Sequence, residues 1–443
     1  MRSINVKKID NNLKKALDMI IENKERYVKH PKNDFTRKRK MSMKSTIIEI
    51  LSMGGESLPK EMLKFCEINN TEITPSAFIQ QRSKILPFAF KDMFYKFNEY
   101  CNDKKTYRGY KLLAIDGSEI DCYRNPNSPN HMKTKQSEKG FNKVHLNALY
   151  DVLNKTYVDV HLQPRPDADE QGALVKILKS HKFVKKTLII SDRGYEGYNA
   201  LMHLCRTQNV DFMCRTRHGP GAYRCMAQLP MTEFDIDITF EVTTTQTNED
   251  KKNNRIFLQT GSKKGKKNSS KTSITRWDFE SPCRFQFRVV RFILDTGEYE
   301  TIITSLSRKD FLASEIKQLY HLRWGIETSF RELKYYVGLI NLHSRKDEFI
   351  EQEIYAALTM YNYCCRIASA APINKKKKTK YDYVINYSMV ISICKHFFRR
   401  QESNISEIIR KIIKYTVPIR PGRQDERNIK NKGFVGFTYR VAA

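Results

Sequence analysis

Apolar positions recur at helical spacing over 45–53, a segment closed by Gly54-Gly55, and again over 60–68. Thr74-Pro75-Ser76 opens a third helix over 77–85, with Thr74 as N-cap and Pro75 at the first helical position. From residue 110 the period changes. An apolar run ends at Asp116-Gly-Ser, which predicts a buried strand finished by an acid and a turn. Residues 145–150 and 156–162 alternate apolar and polar around Asn154-Lys155, a hairpin beside that strand. A loop over 164–169 leads to a helix over 169–181, with Leu174, Ile177 and Leu178 on one side and acids in its first turn. A second buried strand, 187–191, runs into Asp192-Arg-Gly-Tyr. A short helix over 199–206 and a strand over 210–214 follow. Three strands, helix, strand, helix, strand predict an α/β fold, a mixed sheet with helices on its faces.

Between 214 and 314 lie about a hundred residues, too many for a loop in a compact domain. They alternate like strands at 240–244, 256–260, 285–294 and 299–305, a β-rich insertion. A long helix is then expected over 315–337, with Ser314 as cap, Glu315 in its first turn and Gly338 just past its end. On a wheel of about 100° per residue, Tyr320, Arg323, Glu327 and Lys334 fall within about 60° of one another. Leu319, Ile326, Phe330, Leu333 and Val337 form an apolar stripe beside them. Vicinal Cys364-Cys365 lie in an apolar helix over 354–368 and read as small core residues.

Composition narrows the class. Lys and Arg number 79 against 49 Asp and Glu, a formal net charge of +30, which excludes a typical acidic enzyme and favours a polyanionic partner. With 40% hydrophobic and 11% aromatic residues, the chain is no disordered tail protein. Its cysteines include no Cys-x-x-Cys, so neither a zinc ribbon nor a thioredoxin-type site is indicated, and they suit a reducing compartment. The histidines do not cluster with cysteines or acids at zinc-ligand spacing. No apolar leader opens the chain and no run approaches ~18 apolar residues, so a cytoplasmic protein without membrane contact is expected.

The basic excess concentrates in 1–44, in a Lys/Asn/Ser-rich loop over 251–271, and in 371–443, which includes Lys375 to Lys378. The third N-terminal helix carries Gln80, Gln81, Arg82 and Lys84 on its polar side, like the reader of a helix-turn-helix. The expected organisation is a helical DNA-binding region (1–105), a first core part (106–216), the insertion (217–310), the long helix with the end of the core (311–370), and a basic C-terminal region for DNA contact or dimerisation (371–443). Within the last, 417–423 reads equally as an arm along DNA or a loose end.

Two acids end two buried strands, Asp116 and Asp192, and a third carboxylate, Glu327, stands between cations on a helix. Three converging carboxylates repel unless a divalent cation relieves them. Mg²⁺ or Mn²⁺ suits such a set, because it takes oxygen ligands and completes its shell with water and substrate phosphate. Two ions about 4 Å apart serve phosphodiester displacement. Arg323 and Lys334 then hold phosphates in line, and Tyr320 adds a phenol that donates to a phosphate or stacks on a base. Arg193, directly after Asp192, is a further phosphate contact. Glu119 and Asp121 read as a solvated turn.

Tyr320-x-x-Arg323-x-x-x-Glu327-x-x-x-x-x-x-Lys334 resembles the Tyr-Arg-Glu-Lys signature of a family of bacterial insertion-sequence transposases, DDE enzymes with a ribonuclease-H-like core. Leu322-Arg-Trp324-Gly-Ile-Glu327, Ile115-Asp116-Gly-Ser and Ser191-Asp192-Arg-Gly-Tyr195 resemble that family too, from about Tyr110 to the C-terminus. The resemblance implies Asp116, Asp192 and Glu327 as catalytic, metal-holding acids. It implies Tyr320, Arg323 and Lys334 as contacts to double-stranded DNA at transposon ends and target, and cut-and-paste movement, often through a hairpin, by a homodimer on paired ends. In some relatives an aromatic of the insertion stacks on a flipped base during hairpin formation. Trp277 and Tyr299 are candidates, though each reads better as part of the insertion's own structure. A nuclease of the same fold and a non-enzymatic regulator are the alternatives. The signature and insertion argue against the first, and the three intact acids against the second.

Overall fold

The computed structural model describes residues 2–135, 137–217, 223, 226, 229–260, 276–371, 381–401 and 404–420. The expected basic features at 261–271, 375–378 and 421–443 lie outside these residues. The chain opens with helices α1 (Arg2–Glu22), α2 (Lys24–Tyr27), α3 (Met43–Ser52), α4 (Leu58–Asn69), α5 (Pro75–Arg82) and α6 (Phe88–Cys101). Strands β1 (Lys111–Cys122), β2 (His131–Thr134), β3 (Ser137–Asp151) and β4 (Thr156–Pro164) follow, then α7 (Glu170–Ser180), β5 (Thr187–Ser191), α8 (Tyr198–Arg206) and β6 (Val210–Thr216). The next segment holds β7 (Phe234–Thr243), α9 (Asn248–Lys252), β8 (Ile256–Phe257), β9 (Cys283–Ile293) and β10 (Tyr299–Thr304). Helices α10 (Ala313–His321), α11 (Trp324–Tyr335) and α12 (Asp347–Ala370), strand β11 (Tyr383–Val384), helices α13 (Tyr387–Arg399) and α14 (Ile405–Lys414), and strand β12 (Val417–Pro418) complete it.

The expected α/β architecture is present as one large mixed sheet between helices. Its order is β3-β1-β5-β6-β10-β9-β7-β8, with β2 and β4 both on the outer side of β3. β1, β5 and β6 run parallel, and β3 and β10 flank them antiparallel. The insertion's strands therefore extend the core sheet, because β10 pairs with β6 from Thr301↔Thr216 to Thr304↔Met213.

Alternation along β1 sends Leu113 and Ile115 to one face, against Leu174 and Ile177 of α7 and Leu201 and Leu204 of α8. Leu112 and Ala114 face the other side, where Ile316 and Leu319 of α10 and Ile326 and Phe330 of α11 pack. Each such leucine, isoleucine or phenylalanine side chain, fully buried, contributes roughly 1.5–3 kcal/mol. Asp169 caps α7 by accepting from Gly172 N at 2.9 Å, and Thr74 caps α5 by accepting from Ala77 N.

α12 is buried almost all round and forms the hub, as a helix without a polar face must. α1, α3, α5, α6 and α13 share one continuous core with it. This changes the reading of α5. Gln81 and Arg82 are buried, and Arg82 donates to Gln352 Oε1, Glu353 Oε1 and Phe349 O of α12 at 2.7–2.8 Å. One residue of the polar side expected to read DNA, Arg82, is instead the anchor of α5 to the hub, and Gln81 is buried and accepts from Lys84.

The helix expected over 315–337 is two helices. Leu322 N, Arg323 N, Gly325 N and Ile326 N all bond three residues back, at 3.0–3.1 Å, so the turn between α10 and α11 is overwound. Gly338 lies beyond α11 as expected, with φ +98°. A Cβ there would stand 2.7 Å from Gly55 N and 2.8 Å from Gly54 C, so glycine is needed twice over.

Candidate functional site

β1 and β5 pair in parallel from Lys111↔Thr187 to Ile115↔Ser191. The next residues are Asp116 and Asp192, so two carboxylates leave neighbouring strands at one edge, where crevices of open α/β sheets bind ligands. The turn expected after Asp116 is absent: β1 continues to Cys122, paired with β3 from Asp116↔Ala148 to Cys122↔Asn142. What stops at Asp116 is the pairing with β5, and the crevice opens there. Glu119 and Asp121 consequently lie on a strand, where Lys143 pairs with both, at 2.6 and 3.4 Å, and Arg165 pairs with Glu119. Asp116 Oδ1 accepts from Gly117 N at 2.8 Å and Asp192 Oδ1 from Arg193 N at 2.6 Å, which fixes both carboxylates.

The overwound turn delivers the third acid. It places Arg323 at the N-cap position of α11 and Glu327 in its first turn, where the helix end favours negative charge. Arg323 is buried and bridges two carboxylates: Nη2 donates to Glu327 Oε1 at 2.6 Å and Nη1 to Asp116 Oδ2 at 3.3 Å. Burial pushes Asp116 up to about 6. The Gly117 amide and Arg323 oppose that rise, and the charges of Glu327 and Asp192 add to it. Among the described residues no group of three acids, histidines or cysteines stands close enough to hold a metal ion. The guanidinium lies between Asp116 and Glu327 instead.

The remaining expected residues divide. Arg193 is exposed beside Asp192. Tyr320 is not presented to a phosphate: it is buried with Leu112, Leu188 and Ile190, its hydroxyl has no hydrogen-bond partner, and Arg323 stands 5.8 Å from its ring centre. Lys334 is half-buried along the extension of β1. Burial holds its ammonium below the usual lysine range, against the charges of Asp121 and Glu119. Trp277 packs on Phe279 and Phe285 and donates to Glu280 O, and Tyr299 is half-buried at the start of β10.

Residues 107–363 match the family described as the transposase DDE domain. The chain belongs to this family. Divalent metal ions are generally used by DDE transposases. No curated protein matches the sequence. Among solved structures, a cryo-EM piggyBac transposase synaptic complex with hairpin DNA is similar at a TM-score of 0.42 and 12% identity, covering 88% of this chain and 81% of that one. Among the described residues no helix is long and apolar enough to cross a membrane.

Two acids escaped sequence reasoning. Glu300 on β10 pairs with Arg215 of β6 at 2.9 Å, and burial pushes it up while the charge of Asp192 acts on it. Glu170, seen in the sequence as an acid of a first helical turn, lies against the backbone just past Asp116 and Asp192. Strand register alone brings Glu300 here, and no local pattern announces it.

Proposed function

We propose that this DDE transposase serves a bacterial insertion sequence: it binds the terminal inverted repeats and moves the element by cut-and-paste. The observation that carries the reading is one guanidinium, Arg323, bridging Asp116 and Glu327 beside the register-matched Asp192. Half-buried carboxylates that repel, one pushed up to about 6, are a donor set that gains from a cation. Asp116, Asp192 and Glu327 are the residues that would hold divalent magnesium or manganese, two ions in this reading, and the chemistry these would supply is polarisation of the scissile phosphate and activation of the attacking oxygen.

Arg323, whose fork lies between Asp116 and Glu327, is the cation that would pair with a DNA phosphate in this crevice. Buried Tyr320 supports it from below, and exposed Arg193 and half-buried Lys334 flank the track. Hydrolysis breaks a P–O bond at the transposon end and leaves a 3′ hydroxyl. That hydroxyl attacks a target phosphorus and displaces a second 3′ oxygen, so strand transfer conserves bond number. Two copies of the chain pair the ends, and the +30 charge holds both duplexes.

The test is cleavage of a supercoiled donor carrying the DNA that flanks the gene. The full chain should cut the element boundaries with Mg²⁺ and not with EDTA. Glu327→Gln should bind the ends and cut at least about 10²-fold more slowly. Binding without cutting under any divalent metal would leave a regulator in its place.

A further inference from the structure

Three carboxylates are the site as assigned so far, all approached from the α10–α11 face or the strand ends. On the opposite face stands Glu170, in the first turn of α7. An acid there ordinarily stabilises the helix end from solvent. That task is already met by Asp169, which makes the capping bond. Glu170 turns inward instead. A Cβ added at Gly117 would stand 2.8 Å from Glu170 Oε1, and one at Gly194 would stand 2.5 Å from Glu170 Oε2. These glycines follow Asp116 by one residue and Asp192 by two. Neither has left-handed backbone, so conformational freedom does not account for them. Their missing side chains leave the space through which the carboxylate reaches the acidic edge.

The surroundings are incomplete in a consistent way. His145 of β3 is buried, with Nε2 3.6 Å from Glu170 Oε1 and 2.7 Å from where a Gly117 Cβ would be. Neither of its ring nitrogens has a hydrogen-bond partner, and the adjacent Asn147 Oδ1 lacks one too. Tyr195 is fully buried with an unpartnered hydroxyl. Burial and then the charges of Glu170, Asp116 and Asp192 hold that phenol well above its usual range. Buried polar groups are normally paired, and a cluster of orphans beside acids marks a place built for something else.

We infer that Glu170 is a fourth carboxylate of the divalent-metal site, entering from the α7 face of the sheet with His145 behind it. The inference rests on the function proposed above and deepens it. A magnesium-type ion held by few carboxylates keeps several waters, and a fourth oxygen donor replaces or orients one of them.

The test is direct binding of Mn²⁺ to the metal-free full chain, followed by loss of the free-ion EPR signal. Glu170→Gln should weaken binding about tenfold. Gly194→Ala, which meets no side chain but Glu170, should do the same by displacing the carboxylate without removing it, and it carries the test if Glu170→Gln fails to fold. Glu348→Gln, at a surface pair with Lys29, should bind as wild type. If Glu170→Gln and Gly194→Ala both bind as wild type while Asp116→Asn is weakened, the inference falls and the proposed function stands. If Asp116→Asn also binds as wild type, the metal reading of the whole site falls with it.

Discussion

Arg323 concentrates the chemistry of the site in one side chain. Its two arms reach acids that come from a strand and from the next turn of its own helix. A planar fork does this with two separate nitrogens, one aimed at each acid, and a lysine ammonium, a single point charge on a shorter reach, does not reproduce that geometry. Arg323→Lys therefore keeps the charge and loses the bridge. We expect end cleavage to fall on the order of 10²-fold, the cost of a misplacement of about 1 Å at a reacting centre, with DNA binding at low salt little changed. Cleavage at the wild-type rate would mean that charge alone suffices. Arg323 was legible in the sequence by its spacing to Glu327. Its reach to Asp116 was not, because nothing local reports which strand a helix will cover.

The elements show the same division between what is local and what is not. The strands at Asp116 and Asp192, the hairpin around Asn154-Lys155 and the helix capped by Thr74 follow directly from period, turn chemistry and N-cap, whereas the cap expected at Ser314 does not form, because α10 starts earlier, at Ala313, with Leu312 at its N-cap. The break between α10 and α11 does not, since Leu322-Arg323 contains neither glycine nor proline and the apolar stripe runs through it. It is imposed from outside: α10 packs on Leu112 and Ile190, while α11 packs on Ala114 and the α12 core, so one straight helix cannot serve both. The far end of α11 is then held by α13. Lys395 is buried and donates to Met53 O at 2.5 Å and Val337 O at 2.7 Å, carbonyls left over at the ends of α3 and α11. Burial lowers its ammonium to about 8, so it is retained at a cost. Lys395→Met fills similar volume and leaves two buried carbonyls unpaired, at about 1–3 kcal/mol each. Urea unfolding should show a loss of about 2–6 kcal/mol. A neutral result would show that water replaces the ammonium.

Across the whole molecule, one acid of the hub helix ties the N-terminal helices to the loop that follows α11, alongside the shared core. Periodicity showed that α5 had an apolar face but not that its arginine would enter a shared core, so this joint was invisible in the sequence. Glu353 of α12 accepts from Arg82 of α5 at 2.8 Å and from His343 N at 3.0 Å, with His343 Nδ1 also at 3.0 Å. His343 Nε2 in turn faces Glu56 O between α3 and α4. Burial raises the carboxyl of Glu353, but Arg82 and His343 outweigh it and bring it down to about 2. For Arg82 burial wins over the pair and lowers its pKa, so the net gain belongs to the acid with its several donors. A depressed folded pKa means that the unfolded chain binds the proton first as pH falls. The stabilisation is complete above the ordinary glutamate value near ~4.3 and drains away between there and about 2. Other carboxylates titrate in the same range, so the readout is the difference between wild type and Glu353→Gln in urea unfolding. That gap should be widest near pH 6 and shrink by on the order of 3 kcal/mol towards pH 2. A gap that stays constant across this range would mean that Glu353 is held by packing and that its ion pairs add nothing to the joint.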